Sequence, residues 1–268
     1  MQNEQNNLTK IYADLLDEHR AWLGGFGNDR LKKWEDLLNK NSCEAAICEA
    51  AAQKLFSEHG CVVEPYHLNK GPDFKCTKNS SRFYVETTCI TIEAATKETS
   101  LSNMSPQPTQ AQAFGMMTQK FLGEICNKTP QCSGLDAPCI VVIGTLHFQA
   151  SCLCFQDWAA EELLTGTPYI TQKINIQMGE PVGEIYESTR LEGAAFIRPQ
   201  KDAPTWIEHA RNPISAVLIC GFGSNPPEVL GCLHPNPNYH FDRTLLSNIR
   251  FCKLTDGYQN GSLKVEWI

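Results

Sequence analysis

The chain has 268 residues, 42% apolar and 20% charged, with a formal net charge of −7. Such a length gives one large domain or two small ones with a sizeable core, and the composition is that of a soluble globular protein. The acidic balance argues against a broad basic surface that grips DNA regardless of sequence, though it leaves room for a local basic groove.

The opening "MQNEQNNLTKIYADLL" lacks the basic-then-apolar pattern of a secretory leader, and the longest apolar run, "APCIVVIGTLHF", is far short of a membrane span. A soluble cytoplasmic protein with no membrane partner is expected. The 13 cysteines are odd in number, and the closest pair, Cys152 and Cys154, is not a Cys-x-x-Cys. Buried reduced thiols are expected ahead of disulfides or a zinc site.

The N-terminal 40 residues read as helical. "LTKIYADLLDEHRAWLG" spaces Leu8, Ile11, Leu15, His19 and Leu23 at helical intervals up to the Gly24-Gly25 break, and "DRLKKWEDLLNK" is a second amphipathic run. The clearest helix is "EAAICEAAAQKLFSEHG". Asn41 and Glu44 are its predicted capping box, and Gly60 is its stop. "CVVEPYH" reads as a strand, and "PDFKCT", "KNSS" and "RFYVETTCITI" read as a β-hairpin.

A polar loop is predicted from Thr96 to Gln110. Phe114, Met117, Phe121 and Ile125 then mark a helix face. "APCIVVIGTLHF" reads as a strand buried on both faces, and "FQDWAAEELL" as a helix. From Thr165 to Pro213 the pattern is weak, and loops with short strands are expected. "ISAVLICGF", "EVLGCLHP" and "SLKVEWI" read as strands, the first two a hairpin around "GSNPP". This order implies an α/β core with a mixed sheet rather than a doubly wound parallel one.

The stretch "GPDFKCTKNSSRFYVETTCI" has the most specific chemistry. Residues two apart on a strand share a face, about 7 Å apart. The hairpin can therefore fold Asp73 beside Glu86, with Thr88 on the same side. Two carboxylates at the end of a hairpin make a hard oxygen site suited to Mg²⁺ or Mn²⁺. Such an ion polarises a phosphoryl oxygen and activates water, and a nearby lysine would assist. Taken singly, Asp73 is also good turn chemistry, and Glu86 could be an outward-facing strand residue.

"GPDF" followed by "RFYVETT", after an acidic helix and the strand "GCVVEPY", resembles the PD-(D/E)XK superfamily of restriction-endonuclease-like nucleases. The resemblance runs from about Asn41 to Phe148 and covers the order of elements. It implies a restriction-endonuclease-like core over residues 41–160, an N-terminal helical extension over 1–40 and a C-terminal β-rich extension over 161–268. It also implies a Mg²⁺- or Mn²⁺-dependent endonuclease-like hydrolase acting on nucleic acid, DNA ahead of RNA, and is compatible with a homodimer.

Carried onto this chain, Asp73 and Glu86 would be metal ligands, with the backbone carbonyl of Thr87 a third. Thr88 stands where the family has lysine, so a cation must come from elsewhere. Lys75, Lys120 and Lys128 are candidates. Lys128 is preferred because "ICNKTPQ" resembles a Lys-x-x-Gln pattern on the family's second core helix, which would place Gln131 beside it. Pro130 should end or kink that helix near Thr129. Lys120, Glu124 and Lys128 would equally suit an exposed salt-bridged face. The first core helix of the family often adds an acidic residue, and Glu49 is preferred to Glu44.

Two other readings stand beside this one. A nuclease fold that lost its chemistry would serve as a binding or scaffold module, and it gains if no lysine nitrogen reaches Asp73 and Glu86. "GCLHPNPNYHFDR" groups His234, His240, Asp242 and Arg243, but a rigid turn burying Tyr239 and Phe241 is the preferred reading there. No cysteine lies in a nucleophile motif, and there is no Walker loop, His-Glu-x-x-His or dinucleotide fingerprint.

Overall fold

A computed structural model describes residues 2–39, 42–66, 71–101, 103, 114–175, 178, 180–201, 203–255 and 263–268. Helices come first: α1 (Gln2–Ile11), α2 (Ala13–Gly24), α3 (Asn28–Asn39) and α4 (Cys43–Glu58). Strands β1 (Val62–Pro65), β2 (Phe74–Lys78) and β3 (Ser81–Cys89) follow. Next are α5 (Ile92–Thr99), α6 (Phe114–Cys132), β4 (Cys139–Thr145), α7 (Phe148–Cys154) and α8 (Asp157–Thr165). Strands β5 (Thr167–Asn175), β6 (Glu180–Arg190), β7 (Ile197–Gln200) and β8 (Ala203–His209) form two separate hairpins. The last strands are β9 (Ala216–Gly221), β10 (Glu228–Leu233), β11 (Arg250–Leu254) and β12 (Val265–Trp267).

The central sheet has eight strands in the order β1-β2-β3-β4-β9-β10-β11-β12. β3, β4 and β9 are parallel neighbours, as are β10 and β11, and the remaining pairs are antiparallel. The architecture is α/β with a large mixed sheet flanked by helices. Every residue of β4 is buried, as its unbroken apolar run requires of a strand covered on both faces. One face packs against α2, α3 and α4, where Phe56, Phe74 and Phe83 are fully buried. Each such ring contributes about 2–3 kcal/mol. The other face packs against α6 and α8 through Phe121, Ile125 and Leu163.

Strand alternation decides which side of the sheet each site residue meets. Along β3, Phe83 and Val85 join the α4 side, and Tyr84 joins the α6 side. Glu86 and Thr88 therefore face α6. The β2–β3 turn has Asn79 and Ser80 at φ 49° and 64°, the left-handed pair that a two-residue hairpin turn uses.

Several local expectations change. Asn41 lies outside the described residues, and Ser42 at the start of α4 makes no side-chain cap bond. Glu44 instead accepts the Ile92 N–H at 2.7 Å, because the unpaired first amides of α5 compete for it. The first helical run divides at Tyr12. α6 continues through Pro130 to Cys132 rather than ending near Thr129. Pro130 there has no N–H to donate to the Cys126 carbonyl, and the helix ends two residues later.

Tyr239 is 44% exposed, so of the two aromatic rings expected to be buried by that turn only Phe241 is. β5 and β6 run nine and eleven residues where short strands were expected. Among the described residues, Ile174, Val182 and Ile185 of this arm are exposed, so the apolar positions do not mark a buried face. Of the predicted polar loop, Thr96–Thr99 form the end of α5 instead, and residues 102 and 104–110 lie outside the described residues. All the cysteines are free thiols, and most are buried. Among the described residues no helix is long and apolar enough to cross a membrane.

Candidate functional site

The β2–β3 ladder ends with Phe74 opposite Val85. Continued one step, that register brings Asp73 to the level of Glu86 at the end of the ladder, at the edge between the α6 side and the α3–α4 cavity. Pro72 has no N–H and stops the strand from reaching back further. A Cβ at Gly71 would collide with the Tyr66 ring, so glycine permits this approach. The Asp73 carbonyl accepts the Tyr66 N–H at 2.9 Å, which fastens the turn to the β1 side.

Asp73 Oδ2 accepts the Thr87 N–H at 2.7 Å, so a side chain replaces the main-chain partner where the ladder stops. The N–H groups of Tyr84 and Ile90 point the other way, to Pro138 and Gly144 beside β4. Backbone groups alternate along a strand, so the Thr87 carbonyl faces the same open edge as its N–H. The Thr87 hydroxyl is buried and makes no hydrogen bond of normal geometry, though it is near enough to Asp73 to favour the carboxylate.

On the α6 side, Glu86 is only 3% exposed, and its Oε1 lies 2.6 Å from Lys128 Nζ. Thr88 Oγ1 donates to Glu124 Oε2 at 2.6 Å. The two contacts share one geometric cause. Two residues along a strand span about 7 Å and four along a helix about 6 Å, so strand positions 86 and 88 match helix positions 128 and 124. Thr88 is thus the partner of Glu124, and α6 delivers the amine from across the sheet face.

The other candidate lysines are engaged elsewhere, Lys75 with Glu64 at 2.9 Å and Lys120 with Glu98 at 3.1 Å. The exposed salt-bridged face expected of Lys120, Glu124 and Lys128 does not form. Packing of α6 on the sheet turns two of the three toward β3. The Gln131 amide does not reach the carboxylates. With its NH₂ turned inward it donates to the Asn127 and Lys128 carbonyls of its own helix, at 3.2 and 3.3 Å.

Glu49 is half-buried on α4 and shares a cavity of about 500 Å³ with Asp73. Arg30 and Lys33 of α3 line the same cavity. Sequence reasoning missed both. The only signal was the basic run "RLKK" in a helix taken as peripheral.

The three carboxylates are unfavourable as simultaneous anions. Burial pushes Glu49 well above the ordinary carboxylate range, helped by repulsion from Asp73 and Glu86 and opposed by Lys33 and Arg30. Burial also raises Asp73, against the Thr87 N–H, Lys128 and Lys33. Glu86 rises to about 7 through burial and the Asp73 charge, which together outweigh its contact with Lys128. For Lys128, burial disfavours the ammonium, but Glu86, Asp73 and Glu124 outweigh burial and hold its pKa up.

No protein family, curated protein or solved structure matches this chain. Among the described residues, no three or more histidines, cysteines, aspartates or glutamates form a group that could hold a metal ion. What Asp73, Glu86 and Glu49 offer is a set of hard-oxygen donors between the Lys128 ammonium and the cations Arg30 and Lys33.

The His234 segment is built differently. His234 Nδ1 accepts the Asn236 N–H at 2.9 Å and Nε2 donates to the Ala210 carbonyl at 2.8 Å, so both nitrogens are used. Burial lowers its pKa to about 4 and keeps it neutral. Asp242 accepts the Thr244 N–H at 3.0 Å and caps the short turn that follows. Neither this segment nor His240 or Arg243 lines the cavity that holds Glu49 and Asp73.

Proposed function

We propose that this chain is a restriction-endonuclease-like, metal-dependent hydrolase of phosphodiester bonds in nucleic acid. The observation that carries the reading is Lys128 Nζ at 2.6 Å from Glu86, whose neighbour Thr87 donates its N–H to Asp73. An amine beside paired carboxylates is the element that Thr88 fails to supply from the strand.

Asp73, Glu86 and the Thr87 carbonyl would hold Mg²⁺ or Mn²⁺, with Glu49 behind them. These donors suit such an ion in hardness and charge. The raised carboxylates and the unpartnered Thr87 hydroxyl mark a place where a cation would relieve repulsion. When bound, the ion supplies Lewis-acid stabilisation of the phosphoryl oxygens and an acidified water. Lys128 would orient the attacking water and balance charge developing on the phosphate.

A second reading has its own support. The described side chains include no ready-made group of three metal ligands, as a nuclease fold kept for binding alone would have. A cation must compete with Lys128 for Glu86 and with the Thr87 N–H for Asp73.

One experiment separates the readings. Purified protein is incubated with single- and double-stranded DNA and RNA in Mg²⁺ or Mn²⁺, alongside Asp73→Asn. The hydrolase reading expects metal-dependent cleavage that the substitution abolishes. Cleavage that survives Asp73→Asn would sink the site assignment. No cleavage, together with no heat of Mn²⁺ binding, would leave the binding-module reading.

A further inference from the structure

The cavity that holds Glu49 and Asp73 also presents Arg30 and Lys33. They lie three apart on α3, so both project from one face of that helix. Lys33 is exposed and makes no hydrogen bond or ion pair among the described residues. Arg30 is held in place by donating from Nη2 to the Tyr66 carbonyl. Its guanidinium has further N–H donors to offer.

Simple neutralisation of the carboxylates does not account for these cations. Both favour the charged form of Glu49, and Lys33 does the same for Asp73 and Glu86. Yet among the described residues neither forms an ion pair with any of them. Arg30, Lys33, Glu49 and Asp73 line a common space of about 500 Å³, which Asp36 of α3 also borders. A phosphate fits that space, with its oxygens toward the cations and its phosphorus toward the hydrolytic end. The volume lies in the range of small-ligand pockets, enough for one nucleotide and too small to admit a duplex. The net charge of −7 favours a footprint of few phosphate contacts over a long basic track.

We propose that Arg30 and Lys33 form a phosphate-binding subsite that seats one nucleotide unit of a single-stranded nucleic acid in this cavity. The subsite rests on the hydrolase reading of Asp73 and Glu86, and the test separates the two.

Anisotropy of a labelled oligothymidylate is measured across a salt series, with Ca²⁺ replacing Mg²⁺ to spare the strand. The variants are Lys33→Ala, Arg30→Ala and, as a control on the same helix, exposed Lys32→Ala, with thermal melts to check folding. The original chain should bind the strand more tightly than a matched duplex or thymidine 5′-monophosphate. Lys33→Ala and Arg30→Ala should each weaken binding about tenfold and flatten the slope of log K against log salt by about 0.7, one phosphate contact on a single strand. Lys32→Ala should change neither.

Unchanged affinity and slope in Lys33→Ala, with metal-dependent cleavage intact, would overturn the subsite and spare the hydrolase. Duplex or mononucleotide bound as tightly as the strand would overturn the single-strand assignment. Neither binding nor cleavage in the original chain would overturn both.

Discussion

Glu86→Gln probes the electrostatic state of the site most directly. Glutamine keeps the shape of protonated Glu86 and cannot ionise. In the folded chain the Glu86 pKa rises from the ordinary 4.5 to about 7, because burial and Asp73 outweigh Lys128. An acid raised on folding contributes stability that is intact below its unfolded pKa and is lost as pH rises through the folded one. At about 1.4 kcal/mol per pH unit, the loss is about 3 kcal/mol once pH exceeds 7. The attraction of Lys128 is already contained in that value.

Glu86→Gln should therefore match the original protein near pH 4.5 and exceed it by about 3 kcal/mol near pH 8 in metal-free buffer. With an unfolding entropy of about 0.6 kcal/mol per degree for 268 residues, the gap in Tm is about 5 °C. The comparison must be made between the two proteins at each pH. Buried His19 and His234, each lowered to about 4, impose an opposite slope on both of them alike. Differential scanning calorimetry at several pH values, with and without Mn²⁺, measures the gap. Saturating Mn²⁺ at a hundred times its Kd should raise the original protein by about 2.7 kcal/mol and Glu86→Gln by less. A variant less stable than the original at pH 8, with the deficit growing as pH rises, would show that Glu86 is a favourable ion pair and refute the reasoning.

Lys128→Met should lower cleavage at least about 100-fold, as a catalytic cation does, and destabilise by about 3 kcal/mol at pH 8. The cost should shrink at pH 5, where Glu86 takes a proton; urea titration at both values checks it. Thr88→Val should cost about 1 kcal/mol by removing the donor to Glu124 and leave cleavage in place. Cleavage lost along with that hydroxyl would put Thr88 in the chemistry. Gln131→Ala should alter cleavage less than about twofold, since its amide serves the α6 backbone, and an activity assay alone decides that.

Much of the fold was legible because periodicity and burial agree. The alanine-rich α4, the unbroken apolar β4 and the β2–β3 hairpin have patterns that local chemistry and packing both favour. The β5–β6 arm was not legible, since its apolar Ile174, Val182 and Ile185 are exposed and mark no buried face. The path of α6 through Pro130 was not legible either, because packing of the helix on the sheet outweighs the local penalty of the proline. At the site, Asp73 and Glu86 could be paired from the hairpin register alone. The choice of Lys128 over Lys75 and Lys120 depended on which faces meet, and the sequence offered only spacing. Glu44 reads as a cap of its own helix because the Ile92 amide that it accepts from lies 48 residues away.

By itself the sequence determined that two carboxylates meet at the end of a hairpin, since strand alternation and a two-residue turn leave little freedom. Only the tertiary structure decided that Thr88 belongs to Glu124, that Lys128 reaches Glu86, and that α3 brings Arg30 and Lys33 to the same cavity. Those contacts join segments tens of residues apart, and packing of α3, α4 and α6 around the sheet edge brings them together.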